Sequence, residues 1–106
     1  MSKASWYGIA VAAAILLAGA LSYAQSGEAV YKAKCQSCHG AAGTPNPGIA
    51  KMMGVKPITA EKVKKMSEAQ MIDATKNGVA KMPAFKGKIS DADIASSVKY
   101  YRSLAK

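Results

Sequence analysis

The stretch Lys34–Gly43, "KCQSCHGAAG", holds both cysteines and the single histidine of a 106-residue chain within five consecutive positions. Few chemistries use two thiols and an imidazole so close together. A closed zinc site wants four nitrogen or sulfur ligands, normally as two separated pairs, and Cys35, Cys38 and His39 are three adjacent ones. A thioredoxin-like redox pair wants a preceding strand in a βαβ setting, and residues 25–106 carry no alternating Val/Ile pattern. A disulfide between Cys35 and Cys38 would close a loop too short to stabilise much, and it would leave His39 without a role.

The remaining chemistry is covalent haem attachment, for which C-x-x-C-H is the recognised signature. Two intervening residues let the sulfurs of Cys35 and Cys38 reach the two vinyl groups on one side of a porphyrin. His39, next in the chain, then swings its ring under the iron. One haem c is therefore expected, with Cys35 and Cys38 as its thioether anchors and His39 as one axial metal ligand. A covalent bond also keeps the cofactor from dissociating in an open extracellular space.

The other axial position decides between electron transfer and ligand chemistry. There is no second histidine, and besides Met1 the methionines are Met52, Met53, Met66, Met71 and Met82. Ser67 with Gln70 forms a capping box, so a helix should start near Glu68 and run to Asn77, with Gly78 as its stop. Met71 falls inside that helix beside Ile72 and near Thr75, where it reads as core. Met66 ends a short preceding helix expected to be capped by Thr59, with Glu61 in its first turn, and also reads as packing. Met52 and Met53 follow a Gly/Pro-rich loop and, being adjacent, cannot both point inward in the same way. Met82 comes after the helix stop, in "GVAKMPAFKG", where Pro83 prevents helix continuation and fixes the backbone. A ligand on an extended, rigid loop can face a flat ring, and Met82 is the expected second axial ligand.

Outward from these motifs, residues 1–24 have one positive charge, Lys3, then an uncharged run to Ala24 with Ser22 and Ala24 at its end. This is the arrangement of a secretory signal cleaved after Ala24, and it leaves residues 25–106 as one small domain. The competing reading is an uncleaved anchor, since the run is long enough to span a bilayer and Trp6 and Tyr7 could sit at its interface. In either case the domain is expected outside the cytoplasm, periplasmic or otherwise exported, where thiols tend to be paired, metallated or consumed. So short a domain builds a thin core and usually needs a staple. The formal charge is +9 for the whole chain, which favours acidic partners. The lysines are scattered singly, without a nucleic-acid-binding signature, and no nucleic-acid partner is expected.

The ordered motifs resemble the class I c-type cytochromes, particularly the small soluble bacterial and algal ones, over residues 26–106. "GEAVYKAKCQSCHG" resembles their N-terminal helix, with Gly27 and the aromatic Tyr31 ahead of the haem site. "NGVAKMPAF" resembles their methionine loop, and "SDADIASSVKYYRSLAK" their C-terminal helix with its aromatic, Tyr100 or Tyr101. The resemblance implies an all-α small cytochrome c fold, three to four helices wrapped around one haem, with the first and last helices crossing. The residues support this separately. Ser90, Asp91 and Asp93 suit a helix start, and Lys99, Arg102 and Lys106 suit its negative end. Ile94, Val98, Tyr101 and Leu104 or Ala105 fall on one stripe, and Gly27, one turn before Tyr31, would let a crossing helix come close. The resemblance also implies a loop proline whose carbonyl serves the other nitrogen of the histidine. Of Pro45 and Pro47, Pro47 ahead of Gly48 is the better match.

The expected function is that of an exported monohaem electron carrier, not an enzyme, passing single electrons between membrane or periplasmic redox complexes. Val79, Phe85 and Ile89 are candidates for the apolar surround. Lys32, Lys34, Lys81, Lys86 and Lys88 could form a docking ring for redox proteins with acidic surfaces, or only a solvated face. A monomer is expected, reaching a membrane only through its partners or an uncleaved leader. Two other classes stay open. One is a sensor or enzyme with a labile methionine bond that takes up a diatomic or peroxide; the other is a tethered subunit of a larger oxidoreductase.

Overall fold

A computed structural model describes residues 26–105. The expected leader over residues 1–24 and the charge of Lys106 lie outside the described residues.

The described chain is helical, without strands: α1 (Gly27–Lys34), α2 (Gln36–His39), α3 (Pro47–Met53), α4 (Glu61–Lys64), α5 (Glu68–Asn77) and α6 (Asp91–Ser103). The all-α expectation holds, but the described residues carry six helical segments where three to four were expected. The additions are α2, a single turn formed by the C-x-x-C-H residues themselves, and α3, which occupies part of the expected Gly/Pro-rich loop. Asn46 caps α3 by accepting from the Gly48 N–H at 2.8 Å, with Pro47 at the first helical position. That Asn-Pro pair is a readable helix start within the stretch expected as a Gly/Pro-rich loop.

The long helices begin where local chemistry says they should. The Ser26 hydroxyl accepts from Ala29 N–H at 3.1 Å to start α1, and Glu28 pairs with Lys32 at 2.9 Å one turn on. The expected capping box of α5 is complete, with Ser67 accepting from Gln70 N–H and the Gln70 side chain accepting from Ser67 N–H. The Ser90 hydroxyl accepts from Asp93 N–H to start α6. The expected Thr59 cap is corrected: Ala60 is the N-cap of α4 and gives no side-chain bond. α4 is then a single turn, held instead by Arg102 of α6, which donates to the Met66 carbonyl at 2.8 Å.

α1 and α5 each pack on α6. At the α1–α6 crossing, a Cβ on Gly27 would overlap the Ser96 carbonyl oxygen and lie 2.7 Å from its carbon and 3.3 Å from Tyr100 Cβ, so the expected close approach is present. The α6 stripe is buried as expected at Ile94 and Val98, while Tyr101, Leu104 and Ala105 pack partly buried against Ile58, Met71 and Val98. The loop from Gly40 to Thr59 is tied to this core by Ile58, buried, whose N–H donates to the Gly43 carbonyl at 2.8 Å. Among the described residues no helix is long and apolar enough to cross a membrane.

Candidate functional site

Cys35, Cys38 and His39 sit on one turn. Cys35 ends α1 and caps α2, and its carbonyl accepts from the N–H groups of Cys38 at 3.2 Å and His39 at 3.0 Å. The turn is short because Gly40 follows it at φ 83°. Both cysteines are half-buried. Burial raises the Cys35 pKa, a hydrogen bond with Ser97 of α6 opposes this, and the nearby Cys38 adds to it.

The His39 ring lies between α2 and α6, edge-on to Tyr101 with ring centroids 5.1 Å apart. Burial lowers its pKa, which favours the neutral imidazole that a metal binds. Its Nδ1 is buried without a hydrogen-bond partner. Two cysteines and a desolvated imidazole on one turn are the donor set a covalently attached haem requires, and the residues present fit that group.

The aromatic behind this turn is Tyr31, 1% exposed. Tyr100 and Tyr101 both lie against it, at centroid distances of 5.2 and 5.9 Å. Tyr101 is the one that continues to His39, whereas Tyr100 lies at the Gly27 crossing. The Tyr31 hydroxyl donates to the Gly40 carbonyl at 2.6 Å, and the same carbonyl accepts from Gly43 N–H at 3.2 Å. Burial, then the neighbouring Tyr101, Cys35 and Tyr100, holds this phenol well above its ordinary pKa, so it remains a donor. The sequence places Tyr31 only as an aromatic ahead of the haem site; what its hydroxyl does depends on where the Gly40 carbonyl points. Tyr31→Phe keeps the ring and removes this bond. We expect it to cost about 1 kcal/mol and to lower the melting temperature by about 4–8 °C with the visible spectrum unchanged, as a thermal melt followed by circular dichroism would read.

Met82 is half-buried and closes a tight turn rather than an extended loop: Met82 N–H donates to the Val79 carbonyl at 2.9 Å and Val79 N–H to the Met82 carbonyl at 3.2 Å. Ala80 takes φ 52° within it, and Gly78 before it takes φ 78°, where a Cβ would come within 2.9 Å of the Met82 carbonyl oxygen. Phe85 N–H and Lys86 N–H then bind the Thr75 and Lys76 carbonyls of α5 at 3.0 and 3.1 Å. Of the expected apolar surround, Phe85 and Ile89 are partly buried, but Val79 is 57% exposed. Met71 is buried and Met66 packs against the core, as expected; Met52 is 61% exposed on α3.

Pro47 is exposed at the first position of α3, after Asn46, whose carbonyl accepts from Ala50 N–H at 2.8 Å to open that helix. Pro45 is the buried proline of that loop. Lys81, another of the expected ring, donates its ammonium to the Met52 carbonyl at 2.7 Å.

Known proteins agree with this arrangement. A family model described as cytochrome c oxidase, cbb3-type, subunit III matches residues 22–100. The chain is 31% identical over 104 residues to a cytochrome c6 of Synechocystis, covering 90% of this chain and 83% of that one. The fold is similar to that of the KustC0563 c-type cytochrome, with a TM-score of 0.69 at 24% identity, covering 77% of this chain and 100% of the other. With the C-x-x-C-H turn seated on crossed terminal helices, the chain belongs to the small class I c-type cytochromes and carries covalently bound haem c.

Proposed function

We propose that this cytochrome is an exported single-electron carrier with Cys35 and Cys38 as thioether anchors and His39 and Met82 as axial ligands. The supporting observation is the difference in how the methionines are held. Met71 is buried in the core and Met66 packs against it, while Met82 stands in a turn closed by two backbone hydrogen bonds and tied to α5. When bound, the haem supplies one iron that gains and loses a single electron. The chain's part is to keep both axial groups fixed so that little rearranges when the charge changes. Tyr101 and Tyr31 back the His39 side, and the Val79–Met82 turn holds the sulfur. The loop carbonyl that would serve His39 Nδ1 comes from Pro47, the expected residue, or from Pro45, which is the buried one of the two. A thioether ligand raises the reduction potential relative to two imidazoles.

Docking belongs to the same reading. Glu28 offsets the charge of Lys32, whereas Lys81 keeps its charge when it donates to the Met52 carbonyl, so Lys34, Lys81, Lys86 and Lys88 carry the expected ring. Lys34 and Lys88 line one groove between α1 and the start of α6. Such a face steers acidic redox partners, and electron-transfer rates with an acidic partner should fall as salt increases.

The test is the visible spectrum of Met82→Ala beside the parent holoprotein. We expect the variant to lose the weak far-red band of a methionine–iron bond when oxidised. It should also bind carbon monoxide when reduced, and its potential should fall by a sizeable part of the roughly 0.8 V that axial ligands span. Matching spectra would remove Met82 from the site and leave Met52, Met53 or Met66. Carbon monoxide binding by the reduced parent would instead favour the sensor or enzyme class. The oxidase-subunit description of the matching family favours one further reading, a haem subunit held beside a larger oxidoreductase. Cell fractionation with mapping of the mature N-terminus separates it from a free carrier.

A further inference from the structure

We propose that Lys81 is a latch: by donating to the Met52 carbonyl it holds the Met82 turn against the C-terminal end of α3, and so positions the sulfur ligand. This rests on the reading of Met82 as that ligand.

The Met82 turn has two flanks. Its C-terminal side is tied to α5 by the backbone bonds of Phe85 and Lys86. On its other side, the hydrogen bond that reaches out of the turn is Lys81 Nζ to the Met52 carbonyl, spanning 29 residues of sequence. Its acceptor has no helical partner of its own. Met52 lies in the last turn of α3, where carbonyls run out of helical N–H donors, and the chain leaves through Gly54 at φ 69°. A cation is favoured there by the helix dipole as well as by the hydrogen bond. α3 in turn packs beside α2, the turn that ends in His39. The latch therefore links the segment carrying the sulfur to a helix that rests on the segment carrying the imidazole. Without it the Met82 turn is held to α5 alone, through Gly78, which caps that helix, and through Phe85 and Lys86, and excursions that carry the sulfur away from the site become more frequent.

Lys81 and Met52 are both exposed, which limits the effect to the range of surface charge interactions, about a two- to five-fold change in population. The experiment uses the oxidised holoprotein and titrates imidazole, a small ligand that displaces a thioether, following loss of the far-red band. Lys81→Ala should bind imidazole about two- to five-fold more tightly than the parent, and added salt should narrow the gap. Lys81→Arg, which keeps a charged donor of similar reach, should restore parental affinity. Lys51→Ala, which removes a cation from α3 without touching the turn, should leave it unchanged. Parental affinity in Lys81→Ala, or an equal rise in Lys51→Ala, would overturn the latch. Met82→Ala run alongside separates the two readings. If the band persists in that variant, the ligand assignment and the latch both fall. If the band is lost while Lys81→Ala titrates like the parent, the latch alone falls.

Discussion

Cys35→Ala/Cys38→Ala, produced in a host that attaches haem to exported proteins, is expected to be colourless and largely unfolded. The buried hydrophobic side chains among the described residues are Val30, Tyr31, Ile58, Met71, Ile94 and Val98. They make a thin core for a domain of this length. A domain of this size needs a staple, and the large apolar cofactor held by the two thioethers is the one this chain can use. The result to look for is loss of absorbance in the visible region together with loss of most of the helical circular dichroism signal. Each single cysteine variant keeps one thioether and should fall between parent and double variant in yield. A colourless double variant that stayed helical and melted cooperatively would show that the six-residue core suffices alone.

Gly27→Ala is expected to destabilise the holoprotein by about 2–3 kcal/mol, towards the upper end of what overpacking costs. The sign is informative, because alanine within a helix is ordinarily favoured over glycine by about 0.5–1 kcal/mol. Here the added Cβ meets the Ser96 carbonyl group, with its carbon at 2.7 Å, and Tyr100 Cβ at 3.3 Å. The oxygen and carbon are backbone and cannot rotate aside as a side chain can, so α1 must move off α6. That movement disturbs the seats of Tyr31 and of the C-x-x-C-H turn that α1 leads into. For a domain of this length the loss corresponds to a melting temperature lower by roughly 10–20 °C. A melting temperature at or above the parent's would mean that the crossing opens without cost.

Several of these features were legible in the chain before any fold was known. The starts of α5 and α6 follow from Ser67 with Gln70 and from Ser90, and the turn at Gly78 follows from the stop it makes. In each case the hydrogen-bonding partner lies within a few residues, so spacing alone identifies it. The C-x-x-C-H chemistry was legible for the same reason, as was the need for glycine at position 27. α3 was also present locally, in Asn46 ahead of Pro47, but that pair serves turns as well as helix starts. Which of the two prolines is buried, whether Tyr100 or Tyr101 reaches His39, and the correction of Thr59 to Ala60 depend on the path of the loop from Gly40 onward.

The sequence by itself determined the chemistry: two thiols and an imidazole on one turn, helices with their caps, and a glycine where two helices must meet. The tertiary structure decided the partners, because Tyr31 finds the Gly40 carbonyl, Arg102 the Met66 carbonyl and Lys81 the Met52 carbonyl only after the chain has closed. The physical reason is range. A cap or a covalent motif is satisfied within one turn of its own backbone, whereas an acceptor 29 or 36 residues away is chosen by packing that no local pattern encodes.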